Sequence, residues 1–187
     1  MFMHFIKSLN WVDILMLALA LRLVYIGLQT GIVTEIFKIF GLVLALFFSF
    51  QYFALVASVI KMVKIPEGII FTVAFLVIWC FMELACMLIR QGLFMIFTIQ
   101  AQSAVDKWGG AIIAVFRFFV TGSMVLFAFF LTGEKYLQTK ASEAASSKYI
   151  VKVAPTIYQG LSDGFVSKIF PQEKYNTAVN DALKGIR

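Results

Sequence analysis

Three stretches of this chain are long and apolar enough to cross a bilayer, and they limit its fold more than anything else in it. Residues 39–60 run without a single charge. As an α-helix they rise about 33 Å, against a hydrocarbon core of about 30 Å. Residues 69–89 form a second such run, broken only by Glu83, and 108–131 a third, broken only by Arg117. A weaker candidate, about 9–28, carries Asp13 and Arg22 and leaves only residues 14–21 uncharged. The chain is 61% hydrophobic and 14% charged, whereas a soluble domain is about 45–50% apolar and about 25% charged. The expected fold is an all-α membrane protein. Four transmembrane helices (about 9–28, 39–60, 69–89 and 108–131) make a membrane domain over 1–133, and a polar linker with a C-terminal amphipathic helical tail follows over 134–187.

The first segment also has a leader-like feature, "ALA" at 18–20. Only residues 14–17 separate it from Asp13, fewer than the roughly 7–15 apolar residues a signal peptide needs. A retained span is therefore expected, with an interfacial helix or a cleaved leader as the alternatives.

Charges inside such runs are expensive. On insertion scales an arginine at a bilayer centre costs about 2.5 to 3.5 kcal/mol, so it turns toward protein, water or a partner. At about 100° per residue, Gly110, Ala114, Arg117, Thr121 and Ala128 share one stripe of the fourth span. Val115, Phe116, Phe119, Leu126, Phe127 and Phe130 fall on the other side. Small residues let helix backbones approach in lipid, so the Arg117 stripe is expected to face the bundle and the Phe-rich side the acyl chains. The third span presents Thr72, Leu76, Trp79, Glu83, Met87 and Arg90 on its more polar side. If the two spans are antiparallel, Glu83 and Arg117 lie at similar depth, and an intramembrane pair between them is expected. Arg117 snorkelling unpaired and Arg22 competing for Glu83 are the alternatives. Asp13 shares a side with Ala20, Gly27 and Gly31, which puts it toward the bundle and Arg22 near headgroups. Gly41, Ala45 and Ser49 form a small stripe on the second span. Glu35 precedes that stripe, where it complements the helix dipole and can pair with Lys38 at i+3.

Soluble-type catalytic chemistry has no visible residues. The one histidine, His4, lies near the N-terminus, and there is no HExxH, no G-x-S-x-G and no Gly-rich phosphate loop. Cys80 and Cys86 point about 120° apart on a helix and read as buried apolar thiols, not a bridge. No metal and no cofactor is implied. The net charge is +6. Its excess over 134–187 suits an anionic lipid surface better than nucleic acid. "TGEKYLQTKASEAASSK" reads as a solvated linker. Beyond Pro155, Ile157, Leu161, Phe165 and Ile169 recur every fourth residue, beside Tyr158 and Phe170. That pattern describes an amphipathic helix lying on the membrane or on the bundle.

Two blocks of sequence resemble the colicin V production protein (CvpA) family. One is "NWVDILMLALALRLVYIGLQTGIVTEIFKIFGLVLALF", with Asp13, Gly31, Glu35 and Gly41 in the family's order. The other, "DKWGGAIIAVFRFF", is similar to the family segment D-R-x-x-G-x-x-x-G-x-x-R-G at Asp106, Gly110 and Arg117. Lys107 replaces an arginine, Ala114 and Phe118 stand where glycines are usual, and Thr30 stands where a basic residue is usual. "SSKYIVKVAP" looks like the segment that follows the last span. The resemblance implies a multi-pass protein of the bacterial inner membrane linked to production or export of a peptide toxin, and more broadly to envelope upkeep. In some relatives a similar domain anchors a serine protease; the tail here is too short for that domain, and His4 cannot complete a triad.

Two functions are expected from this reading. The first is a non-enzymatic accessory or scaffold, with lipid and other membrane proteins or a second copy as partners. The second is an oligomeric channel or transporter subunit using Asp13, Glu83 and Arg117. An intramembrane enzyme has only Cys80 near Glu83 to offer, and a carboxylate beside a thiol raises its pKa. Orientation is divided. Basic residues near span ends place the termini inside, and the protease-bearing relatives place them outside.

Overall fold

The structure is a computed structural model, and residues 10–60, 66–96, 103–166, 168 and 175–183 are described. Among them every regular element is helical. The helices are α1 (Trp11–Ile60), α2 (Glu67–Ile96), α3 (Ala104–Leu131), α4 (Lys135–Glu143), α5 (Ser147–Ile150), α6 (Val153–Leu161) and α7 (Ala178–Leu183), with a π-helical turn, Ser162–Val166, after α6. The first three are long and apolar enough to cross a membrane.

The 50 residues of α1 would make a straight rod of about 75 Å, far longer than a bilayer is thick. The rod is broken at Gly31, whose φ of 76° and ψ of 173° are not helical. We call residues 11–30 limb a and 32–60 limb b. Their contacts along α3 run in opposite directions. On limb a, Val12 and Met16 pack with Leu126 and Phe130, and Gly27 lies against Gly110 and Ala114. On limb b, Glu35 meets Arg117, and Phe50 meets Phe127 at 4.5 Å between ring centroids. Limb a is therefore antiparallel to α3 and limb b parallel to it, so the chain doubles back at Gly31.

Helix α2 continues the alternation. Phe94 meets Phe37, Phe75 meets Phe50, and Ile70 and Ala74 pack on Ala57. It is thus antiparallel to limb b, and to α3 as well, since Thr72 lies against Ala128 and Gly68 against Thr132. The connection from limb b to α2 falls partly on residues outside those described, and Pro66 stands immediately before α2. A proline there costs little, because its missing N–H would have no helical partner. At the other end α2 runs on to Ile96, beyond its expected end at 89.

The core is aromatic. Phe50, Phe53, Phe75 and Phe127 are almost fully buried with Leu42, Leu46 and Met124. Here the expected division of the last span changes. Val115, Phe116 and Phe119 are exposed, as expected for lipid-facing positions, but Leu126, Phe127 and Phe130 are buried. Helix α3 is flanked at that end by both limbs and by the C-terminal helices, which leaves only Val125 and Phe129 partly open.

The segment after Leu131 is also different from a solvated linker. Helices α4 and α5 fold back, burying Ala141, Ala144, Ile150 and Val151 against Val12, Met16, Leu126 and Phe130. Gln138 Nε2 donates to the Phe130 carbonyl at 3.0 Å, and Asn10 donates to the Lys140 carbonyl. Helix α6 lies on the bundle. Its Tyr158 is fully buried among Phe47, Phe50 and Tyr175. The Tyr158 hydroxyl donates to Gln51 and accepts the Asn176 N–H at 3.0 Å. Ser123 on α3 donates to the Val151 carbonyl and accepts the Ala154 N–H, both at 2.8 Å, satisfying backbone groups where α5 gives way to α6. Burial pushes the Tyr175 phenol up, and the Asp163 carboxylate adds to the shift. Ile169 and Phe170 of the expected apolar stripe, and the Phe165 side chain, lie outside the described residues.

Candidate functional site

Of the residues named from the sequence, Gly31, Glu35, Asp106, Gly110, Ala114 and Arg117 gather at the fold's reversal. Gly31 sits in a region of backbone space that is essentially reserved for glycine. Leaving helical geometry there frees the Ile32 N–H, the first orphan donor of limb b. Asp106 of α3 takes it, with Oδ1 at 2.8 Å. Asp106 is itself placed by the first turn of its own helix, where its N–H donates to the Ser103 cap at 3.2 Å. One carboxylate thus caps a neighbouring helix and adds favourable charge at that helix's N-terminus.

Small residues make this approach possible. A Cβ on Gly110 would stand 2.4 Å from the Gly27 carbonyl oxygen, and one on Gly27 would stand 2.6 Å from the Ala114 Cβ. Gly27 with Gly31, and Gly110 with Ala114, are small residues four apart on two helices that cross backbone to backbone, the arrangement that favours helix association in lipid. Alanine at 114 in place of the family glycine is accommodated because its methyl packs on Gly27. Gly41 plays the same part against α2, where an added Cβ would meet the Cys86 Cβ at 2.9 Å. Asp106→Ala should cost about 1 to 2 kcal/mol by orphaning the Ile32 N–H. Thermal unfolding in detergent measures this, and Asp106→Asn, which still accepts, should recover most of the loss.

One turn below the hinge lies the ion network. Glu35 is fully buried. Its Oε2 is 2.9 Å from Arg117 Nη1, and its Oε1 accepts Lys38 Nζ at 2.5 Å and the Thr30 hydroxyl at 2.8 Å. Lys38 also donates to Thr30 at 3.1 Å. A single carboxylate therefore joins limb a through Thr30, limb b through Lys38 and α3 through Arg117. The expected i+3 pairing of Glu35 with Lys38 is present. The expected Glu83–Arg117 pair is corrected: among the described residues Arg117's ion-pair partner is Glu35. Glu83 acts on the guanidinium at longer range, from across a cavity. Depth matching along two helices could not see Glu35, because the turn at Gly31 brings limb b to Arg117 at the same level.

Asp13 points elsewhere. Its carboxylate accepts the Ser146 N–H at 2.9 Å, the Ser146 hydroxyl at 2.7 Å and the Ala145 N–H at 3.3 Å. It latches the start of the chain to the segment after the last long helix and takes no part in the Glu35 network. Cys80 and Cys86 are both free, as expected, but Cys80 is exposed and Cys86 half-buried. Both line the cavity of about 620 Å³ that opens beside Arg117, between limb a, limb b, α2 and α3. Arg22, Glu83 and Arg90 line it too.

Long apolar helices, a glycine hinge and a carboxylate–guanidinium network buried between them are the features of a membrane protein with ionised groups held between its helices. The family model described as Colicin V production protein matches residues 12–155, and the chain belongs to that family. The match spans the hinge, the network and the Asp13 latch, and ends at Pro155 in α6. No curated protein and no solved structure matches the chain.

Proposed function

We propose that this protein is a non-enzymatic accessory of the bacterial inner membrane, crossing it four times, that supports production or export of a peptide toxin of the colicin V kind, or upkeep of the envelope. The family match over 12–155 carries the reading. The reversal at Gly31 supports four crossings, with limbs a and b as separate spans. The polar side chains support an assembly role, because Asp106, Glu35, Arg117 and Asp13 are spent on joining helices. Partners would be the bilayer, other membrane proteins or a second copy, with no nucleic acid and no cofactor.

Colicin V secreted by a host lacking its own family member is the direct test. Secretion should fall at least several-fold in that host and return with this chain, while Gly31→Ala should fail to restore it. Crosslinking and capture through a C-terminal tag in the same membranes should recover a component of the export or envelope machinery. Unchanged secretion and envelope resistance without the protein would remove the proposal. A channel or transporter subunit is the second reading, favoured by the charged cavity beside Arg117. It would use Glu83 and Arg117 but not Asp13, whose carboxylate is taken by Ser146. Proton flux into liposomes, abolished by Glu83→Gln, would support it.

A further inference from the structure

The cavity between limb a and α2 has a charge surplus that the ion network does not absorb. Arg22, Lys38, Arg90 and Arg117 line it, with Glu83 as the carboxylate on its wall. Glu35 stands behind and is engaged by Lys38 and Arg117. Four cations thus face two carboxylates in a region walled otherwise by apolar side chains such as Leu23, Ile26 and Leu76. Isolated charge in such a place is costly unless paired. The Arg117 side chain is only 9% exposed, and its Nε has no hydrogen-bond partner among the described residues. An acceptor in the cavity would satisfy it.

The rim says how an acceptor would come. Leu84 and Met87 on α2 are exposed, and so is Arg22 on limb a. The opening is therefore lateral, between two apolar helices. It lies in the half of the bundle nearer the Gly31 hinge, where Phe37 and Phe94 meet. Basic pockets between membrane helices bind anionic headgroups, and about 620 Å³ is within the usual range of ligand cavities.

We propose that this cavity binds the oxyanion headgroup of an anionic amphiphile, held by Arg22, Arg90 and Arg117, with its alkyl chain passing between limb a and α2 into the bilayer. The proposal rests on the membrane placement of α1–α3 and is independent of the accessory role. Native mass spectrometry of the full chain in neutral detergent tests it with three probes: phosphatidic acid, phosphatidylcholine with the same chains, and inorganic phosphate. One phosphatidic acid should be retained saturably, and phosphatidylcholine should not compete. Arg22→Gln and Arg90→Gln should each weaken retention roughly tenfold, the effect of losing one charge-assisted contact. Both variants leave the Glu35–Arg117 pair intact. Lys135→Gln, on the exposed start of α4, should leave retention unchanged. Equal loss in Lys135→Gln, or none in the two arginine variants, would place the lipid elsewhere and overturn the proposal. Inorganic phosphate bound as tightly as the lipid would overturn the amphiphile and assign the site to a free oxyanion.

Discussion

Gly31→Ala should destabilise the protein by about 3 kcal/mol or more, enough to deplete monodisperse protein in detergent. Two penalties act together. The first is intrinsic, because a φ of 76° with a ψ of 173° is a combination that residues with a Cβ essentially do not adopt. The second is local, since the new Cβ would stand 2.1 Å from Asp106 Oδ2. Relief of that clash would move the carboxylate that caps Ile32. The two limbs would then lose both their turn and the residue that holds it. Thermal unfolding followed by size-exclusion chromatography reads the effect. Glycine 133 supplies the control. It too has a positive φ, 70°, but nothing stands within 4 Å of a Cβ added there, so Gly133→Ala carries only the backbone penalty and should cost less. A melting temperature for Gly31→Ala equal to that of Gly133→Ala would show that the hinge is not packed as described.

The second large effect belongs to the buried pair. Glu35→Gln should cost about 3 to 5 kcal/mol, because it leaves the Arg117 charge without its close partner; Arg117→Gln should cost less, because Glu35 keeps Lys38 at 2.5 Å. The double variant should cost clearly less than the two together, since Arg117 is then no longer stranded and only Lys38, at the edge of the network, loses its carboxylate. Glu83→Gln should cost under about 1 kcal/mol, as expected for a half-buried group with no close ion pair among the described residues. Its coupling to Arg117 should be correspondingly small. The exchange of Glu83→Arg with Arg117→Glu should not restore stability, because it sets a carboxylate against Glu35. Recovery in that exchange would reinstate Glu83 as the partner and contradict the network.

The helical class, the apolar runs 39–60, 69–89 and 108–131 and the small faces at Gly41, Gly110 and Ala114 were legible in the sequence, because hydropathy and 3.6-residue spacing are local properties; that 9–28 and 39–60, expected as separate helices, belong to one helix broken at Gly31 was not. That Arg117 turns inward was legible for the same reason. Its partner was not. Pairing by depth compares two helices as straight rods, and Glu35 stood in what read as the polar approach to a span. Only the reversal at Gly31 carries it to the level of Arg117. Thr30 was noticed as a departure from the family's basic residue, yet its use as a hydrogen-bond donor to Glu35 depends on the same turn. The fold-back of α4 and α5 was hidden for another reason. Their composition is polar, and what docks them is a few small residues, Ala141 and Ala144, together with Asp13, more than a hundred positions away in the chain.

The central claim is that the chain doubles back at Gly31, so that limbs a and b lie side by side along α3. Labelling with a membrane-impermeant thiol reagent tests it most directly, in a cysteine-free background with single cysteines introduced at Lys7, Gln29, Val105 and Tyr149. The doubled-back chain predicts that positions 7 and 149 react from one side of the membrane, and 29 and 105 from the other. It predicts also that a fifth site, at Lys64 beyond limb b, joins 7 and 149. If position 64 instead reacts from the side of 29, α1 runs straight through the bilayer, and the hinge, the capping by Asp106 and the Glu35–Arg117 network fall with it.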